Sequence, residues 1–303
     1  MKVYIVILNY NTKEDTIELL SSLKKINKDG IDLYTLVIDN HSREPISVDE
    51  ASYKDIGLKL ILNSKNLGFT GGCNVGIRYA LDQEADSVLL LNSDTLVDQE
   101  FLKILTEAAS ESGEGIYCPK IYFAKGFEFH KEKYKAEDLG KVIWYAGGEI
   151  DWKNVYASHR GVDEVDHGQY DSESETNFAT GCCFLITRQV LEKTGLFDDK
   201  YFLYYEDIDL SLRARSSGFK IHFIPKSFIW HKNAGSTGGS GSQIQDYFLT
   251  RNRMLFGTKF APARAKIALI KEGLRLLRTG RPMQKKGVKD FFAGKFGKGS
   301  IEI

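Results

Sequence analysis

Residues 88–98 read VLLLNSDTLVD, an unbroken apolar run that stops at Asn92-Ser93-Asp94. Four consecutive apolar residues, 88–91, have the pattern of a strand buried on both faces in a parallel sheet. The polar residues that follow face water or a ligand, and an aspartate at the carboxyl end of such a strand stands where open α/β sheets bind ligands. The same tripeptide is an ordinary turn sequence. The flanking chain has to decide between the two.

On the amino-terminal side, strand and helix signals alternate. Residues 3–8, 33–38 and 58–62 read as strands, while 12–26 and 72–81 read as helices, the first with Ile17, Leu19, Leu20 and Leu23 set among charges. This alternation predicts a parallel sheet with helices on its faces, and right-handed crossovers bring the carboxyl ends of its strands to one edge. Asn9, Asp39, Asn66 and Asp94 are therefore expected on a shared rim. Residues 123–177 are aromatic and charged with scattered glycines, a pattern of loops and short strands that suits specificity. Beyond them 182–187 is again a strand, 206–216 a helix and 219–224 a strand; 235–242 (GSTGGSGS) is a flexible loop, and a helix starts near Gln243.

With 42% hydrophobic and 27% charged residues, the 303-residue chain has the composition of a soluble globular protein. Lys+Arg and Asp+Glu balance at 41 each, so the total charge points to no nucleic-acid partner. The distribution is uneven: residues 259–303 carry 12 basic against 3 acidic side chains, a basic tail on an acidic body. Ile267, Ile270, Leu274 and Leu277 form an apolar stripe in that tail, beside a basic one of Arg264, Lys271, Arg275 and Arg278, which fits a core helix with a solvated face and, in preference, a helix lying on an anionic membrane. Cys73, Cys118, Cys182 and Cys183 lack disulfide-framework density and metal-ligand spacing, which predicts reduced thiols. Residues 1–8 are too short for a signal core and no stretch approaches a membrane span. The expectation is a cytoplasmic protein, peripheral at the inner face of the plasma membrane.

Several residues have the chemistry of a nucleotide and metal site. The loop 66–76, NLGFTGGCNVG, opens a helix and lets its backbone approach an anion, although it matches neither the dinucleotide fingerprint nor the P-loop. Asp39 can accept the imide N–H of a pyrimidine or cap its own turn. A carboxylate about 4 Å from a diphosphate charge would repel it by ~4 kcal/mol at an effective dielectric of 20, so Asp94 makes sense beside a diphosphate only with Mg2+ or Mn2+ between them. In Glu206-Asp207-Ile208-Asp209, Asp209 pairs naturally with Arg213 four residues on, whereas Asp207 can act as a general base if partly buried. His231 is a structural histidine or a further metal ligand. Tyr247 and Arg251 share a helix face, and Arg suits diphosphate recognition.

These pieces together resemble the family-2 glycosyltransferases of the GT-A fold, especially rhamnosyltransferase-like members that build bacterial surface polysaccharides. The motifs run in order from residue 3 to about 253: VILNYN (6–11), VIDNHS (37–42), NLGFTGGCNVGI (66–77), LLLNSDT (89–95), ATGCCFLITR (179–188), GLFDDKYFLYYEDIDLSLR (195–213), Trp230-His231 and YFLTRNR (247–253). The resemblance implies an α/β GT-A fold with a mostly parallel, Rossmann-like sheet. It also implies a domain over 1–258, divided into a nucleotide half (1–122) and an acceptor half (123–258), ahead of the tail at 259–303.

By the same resemblance Asp39 binds the base, Asn92-Ser93-Asp94 is a DxD-type metal motif with Asn in its first place, His231 completes the metal site, and Asp207 is the catalytic base of an inverting transfer. Asn9, Asn66, Gly71, Gly72, Asn74 and Asn92 are expected around the nucleotide. Tyr247 and Arg251, with the 235–242 loop, are expected over the diphosphate, and Glu206, Trp144 and Gly181 on the acceptor side. The donor is expected to be a UDP- or dTDP-sugar and the acceptor a saccharide or lipid-linked saccharide. The rival readings are a sugar nucleotidyltransferase, which would need a glycine-rich basic loop after the first strand that Asn9-Tyr10-Asn11 does not supply, and a non-catalytic sugar-nucleotide or glycan-binding module.

Overall fold

The computed structural model describes residues 1–233 and 242–302. Its first half is built from β1 (Lys2–Asn9), α1 (Lys13–Leu23), β2 (Asp32–Asp39), β3 (Leu58–Leu62), α2 (Gly68–Asp82), β4 (Ser87–Asn92), β5 (Thr95–Val97), α3 (Phe101–Ser112) and β6 (Gly115–Phe123). Then follow β7 (Ile143–Tyr145), β8 (Gly148–Asp151), β9 (Tyr156–His159), β10 (Ser174–Glu175), β11 (Cys183–Thr187), α4 (Arg188–Thr194), α5 (Glu206–Ser216) and β12 (Lys220–His231). Three helices close the chain: α6 (Gln243–Phe260), α7 (Ala263–Thr279) and α8 (Pro282–Phe292).

The main sheet runs β10-β12-β6-β11-β4-β1-β2-β3, with β5 on β12 and β7 on β6. Val3, Ile5, Ile7, Val37, Ile38, Val88 and Leu89 are fully buried, as expected of central strands covered on both faces. In the parallel block β3-β2-β1-β4, Asn9 pairs with Asp39 and Leu8 with Asn92, so these strands end at one edge. The sheet as a whole is mixed rather than mostly parallel. Strand β11 runs antiparallel to both β4 and β6 because it begins at the rim where β4 ends.

Some elements differ from the sequence reading. Helix α2 begins at Gly68, whose φ of +74 turns the chain into it, four residues ahead of the expected start. Strand β12 continues past Ile224 to His231, with a register shift between Ile224 and Phe228 where Pro225 interrupts the ladder. Helix α3 and strand β6 were not anticipated. The first buries Phe101, Leu102, Leu105 and Ala109 at helical spacing, and the second lies in the middle of the sheet.

The 258/259 division falls inside α6, and the tail packs on the body. A Cβ on Gly257 would lie 2.3 Å from Leu269 of α7, and one on Gly287 of α8 would lie 2.7 Å from the carbonyl of Tyr247. Ala265, Leu269 and Gly273 are the buried residues of α7, so its inward face is rotated from the predicted stripe and leaves Ile267 and Leu274 outside, 58% and 52% exposed. The four cysteines are free and buried.

The glycines of the 66–76 loop serve helix-on-sheet packing. A Cβ on Gly72 would lie 2.3 Å from Leu8 Cδ1, and one on Gly76 would lie 2.5 Å from Cγ1 of Val6, a branched side chain fixed in β1. Gly76→Ala is expected to destabilise the fold by about 1–2 kcal/mol in urea unfolding, because overpacking of ~1–3 kcal/mol outweighs the ~1 kcal/mol gain in helix propensity. A variant as stable as the parent would show that α2 does not lie so close to the sheet.

Candidate active site

Strand β4 leaves the sheet at the rim through main-chain contacts that fix each residue of its tip. The Asn92 N–H donates to the Cys182 carbonyl at 2.9 Å, and the Ser93 hydroxyl meets that of Thr12 at 2.9 Å. Asp94 follows, 5% exposed. The ladder of β5 on β12 places Thr95 opposite His231, which brings the neighbouring carboxylate and the imidazole together: Asp94 Oδ1 lies 3.1 Å from His231 Nε2. The Lys232 N–H donates to the Asp94 carbonyl and locks the register.

A histidine and tryptophan stack backs this pair. Trp144 stands edge-on to His231 with ring centroids 4.6 Å apart and, on its other side, to His159 at 4.4 Å. His159 Nδ1 lies 3.1 Å from the carbonyl of Trp144. Burial pushes His159 down to about 4, so it is neutral at ordinary pH. Its place in the site could not be read from residues 123–177, where the sequence has no periodic signal.

Asp207 reaches the same rim from the start of α5. Its Oδ2 accepts the N–H of Gly181 at 2.8 Å and its Oδ1 that of Ile208 at 2.8 Å. Gly181 has no room to spare, since a Cβ there would lie 3.3 Å from the ring of Phe69. The next residue, Cys182, holds Asn92 through its carbonyl, so two consecutive residues join the tip of β4 to the first turn of α5. Burial raises Asp207 above the ordinary carboxylate range, against the pull of its backbone donors.

Glu206, placed by sequence on the acceptor side, instead points inward. It is 5% exposed, its Oε2 has no partner among the described residues, and burial first and the Asp207 charge second push it well above the usual range. Asp209 is fully buried and accepts from Tyr201, Arg213 and Lys259, so the expected pairing with Arg213 is present at 2.6 Å.

On the nucleotide side, the expected residues separate into two groups. Asn66 is partly exposed at the rim and accepts from Asn40 and Gly68 N–H, whereas Asp39, at the end of β2, is 1% exposed and accepts from Asn9, Ser42 N–H and Ile46 N–H. Asn9 is fully buried with both ends of its amide bonded, to Asp39 and Ser42 on one side and to Thr12 and Thr16 on the other. Asn74 is tied to Phe197 and Asp199, Gly72 faces Leu8 and Asn40, and a Cβ on Gly71 would meet Leu67. Asn9, Asn74 and Gly72 therefore shape the site from beneath.

Tyr247 and Arg251 do share one helix face, but α8 and the chain end cover it. Tyr247 donates to Asp290, and the Arg251 guanidinium directs its N–H groups at Asn252, Tyr247, Gly297, Lys200 and Tyr201. In this arrangement neither faces a diphosphate. The 235–241 part of the expected lid lies outside the described residues.

With this geometry in hand, comparison with known proteins is informative. Residues 1–254 match the family described as Glycosyltransferase like family 2. The chain belongs to that family. As a member it is a glycosyltransferase acting from a nucleotide-sugar donor, built on a GT-A-like fold with a mixed central sheet. It is similar to the low-salt glycan biosynthesis hexosyltransferase Agl10 of Haloferax volcanii, 27% identical over 83% of this chain and 74% of that protein. It is also similar to the dTDP-rhamnosyl transferase RfbF of Shigella flexneri, 24% identical over 84% of this chain and 79% of that one. Among solved structures, GalNAc-T7 with UDP, GalNAc and Mn2+ shares the fold with a TM-score of 0.60 at 15% identity, covering 89% of this chain; the chain spans 54% of that protein's length.

In this family-2 enzyme Asp94 and His231 are the residues that could hold a cation, and no cluster of three or more His, Cys, Asp or Glu fit for a metal occurs among the described residues. One carboxylate and one imidazole in contact suit an ion whose remaining positions are filled by substrate phosphates and water, as Mg2+ and Mn2+ allow. His231 Nδ1 is buried without a partner among the described residues, a second ring nitrogen with unused bonding capacity at this pair. Mn2+ added with UDP or dTDP is expected to raise the melting temperature several degrees above nucleotide alone, an increment that Asp94→Ala loses. An equal metal response in both proteins would put the ion elsewhere.

Proposed function

We propose that this glycosyltransferase moves a sugar, with inversion, from a UDP- or dTDP-linked donor to a hydroxyl of a saccharide or lipid-linked saccharide in surface polysaccharide assembly. The observation that carries the reading is the junction at Gly181 and Cys182, where the N–H of one residue and the carbonyl of the next hold Asp207 and Asn92 to one rim. A rhamnosyl donor is favoured by the likeness to a dTDP-rhamnosyl transferase.

Asp207 is the general base. Half-buried and raised, it takes the proton from the acceptor hydroxyl as that oxygen bonds to the anomeric carbon and the diphosphate departs from the opposite face with the bonding electrons. Asp94 and His231 would hold Mg2+ or Mn2+, which when bound would supply positive charge to the departing diphosphate. Asp39 and Asn66 border the base and ribose side, and Trp144 and Gly181 line the acceptor side. Glu206, which points inward, takes no part in proton transfer.

A peripheral membrane location is favoured by the outer face of α7. Ile267 and Leu274 stand exposed between the exposed Arg264, Lys271, Arg275 and Arg278, a mixed apolar and basic surface suited to anionic headgroups. No helix among the described residues is long and apolar enough to cross a membrane.

With purified protein, metal-dependent release of UDP or dTDP from one donor is expected, falling at least ~100-fold in Asp207→Asn and lost in Asp94→Ala. Glu206→Gln is expected to remain near wild type. Because the base works ionised and burial raises its pKa, turnover is present above that pKa and lost as pH falls through it, so the acid limb of kcat/KM lies higher than an ordinary aspartate would give. Full activity in Asp207→Asn would remove the mechanism. Wild-type protein is also expected to sediment with phosphatidylglycerol vesicles, and an Ile267→Asp/Leu274→Asp double variant to stay in solution; equal sedimentation would reject α7 as the contact.

A further inference from the structure

The segment leading into α5 has a conformation that it does not hold by itself. Phe202, Tyr204 and Tyr205 have φ of +65°, +68° and +73°, three non-glycine residues in the left-handed region within four positions. Side chains with a Cβ adopt this region at a conformational cost, and a run of them persists only where neighbouring structure determines it. The residue after Tyr205 begins α5, and the one after that is Asp207.

The neighbouring structure is one pair of side chains on α6. The Asn252 amide nitrogen lies 2.9 Å from the carbonyl of Tyr201, 2.7 Å from that of Leu203 and 2.9 Å from that of Tyr204. Arg251 donates to the carbonyls of Lys200 and Tyr201, and through Nε to the Asn252 side-chain oxygen, which aims the amide. Both residues are fully buried. The chain end reinforces the pair: the Gly297 carbonyl accepts from Arg251 at 2.7 Å while its N–H donates to Lys200 at 2.8 Å. On the opposite side, the Phe202 carbonyl accepts from the N–H groups of Phe69 and Thr70, so the same segment caps the start of α2.

We propose that Asn252, backed by Arg251 and Gly297, is a positioning residue that sets Asp207 against Gly181 for proton transfer. The proposal rests on Asp207 being the base. Asn252 touches neither the rim nor the reacting atoms; it acts by fixing the backbone from which Asp207 projects. A shift of the backbone at Tyr204 and Tyr205 moves the carboxylate away from the rim, while Asp39, Asp94 and His231 have contacts outside this segment.

Asn252→Ala and Gly297→Pro are compared with the full-length parent on whichever UDP- or dTDP-sugar the parent hydrolyses. Gly297 lies near the chain end at φ +64°, where proline removes the N–H and forces φ negative while leaving the body intact. The expected result is a fall in kcat of at least about tenfold for Asn252→Ala and about threefold for Gly297→Pro, with donor KM within about twofold. Amide hydrogen exchange is expected to speed up at Gly181 and Ile208, the two donors to Asp207, in both variants. Unchanged kcat in the folded variants, a loss confined to KM, or unaltered exchange at both amides would overturn the proposal. Asp207→Asn measured alongside separates the two layers: if it hydrolyses the donor as the parent does, the base assignment has failed, however Asn252→Ala behaves.

Discussion

Two peptide groups at the entrance to β11 hold the working parts of this protein together. The N–H of Gly181 goes to Asp207 and the carbonyl of Cys182 to Asn92. Strand β11 has to run antiparallel to β4 for this to happen, since it must begin where β4 ends. That single reversal turns a parallel nucleotide-binding block into a sheet whose rim also receives a helix start from the second half. A side chain on Gly181 would press on Phe69, and the residue's lack of one keeps the junction narrow. Without the junction, the tip of β4 and the first turn of α5 would belong to separate halves.

Three carboxylates within four positions of α5 show how burial assigns different chemistry to like groups. Asp209 is fully buried yet has Tyr201, Arg213 and Lys259 as donors, so its charge is compensated and it acts as a structural tie. Glu206 is buried with an oxygen that has no partner among the described residues, and burial, then the Asp207 charge, raises its proton affinity well above the ordinary value. Asp207 lies between them, partly exposed and holding two backbone N–H donors, which leaves it ionisable within reach of the cleft. A general base needs that intermediate condition: enough burial to raise its proton affinity, enough polar contact to ionise.

What was legible in the sequence follows from which signals are local. The strand at 88–91 announced itself by an apolar run and a polar stop, and the Asp209–Arg213 pair by helical spacing. The meeting of Asp94 with His231 came from resemblance, because its cause is the ladder of β5 on β12, a pairing 137 residues apart in sequence that no window contains. Strand β6 went unread since GIYCPKIYF mixes Lys120 and Pro119 into an apolar run; Lys120 is in fact buried and paired with Asp166 and Asp171. The sharing of one face by Tyr247 and Arg251 was readable, but its direction was not, because what covers it is α8.

That covering element changes how the tail relates to the enzyme. The family match ends at residue 254, so α7 and α8 lie beyond the matched span. They are nevertheless packed on α6 at three glycines, where an added Cβ would meet the Leu269 side chain at Gly257, the Met254 side chain at Gly273 and the Tyr247 carbonyl at Gly287. Glycine at such crossings permits backbone approach, and the approach allows residues 297–301 to close over Tyr247 and Arg251. Asp290 completes the layer by accepting from Tyr247 and from both the N–H and the hydroxyl of Ser300. A tail that were only a membrane foot would need neither these glycines nor a carboxylate buried against α6. Its two faces have separate demands: the outer one is basic and apolar, and the inner one is shaped to fit the helix that steadies the approach to Asp207.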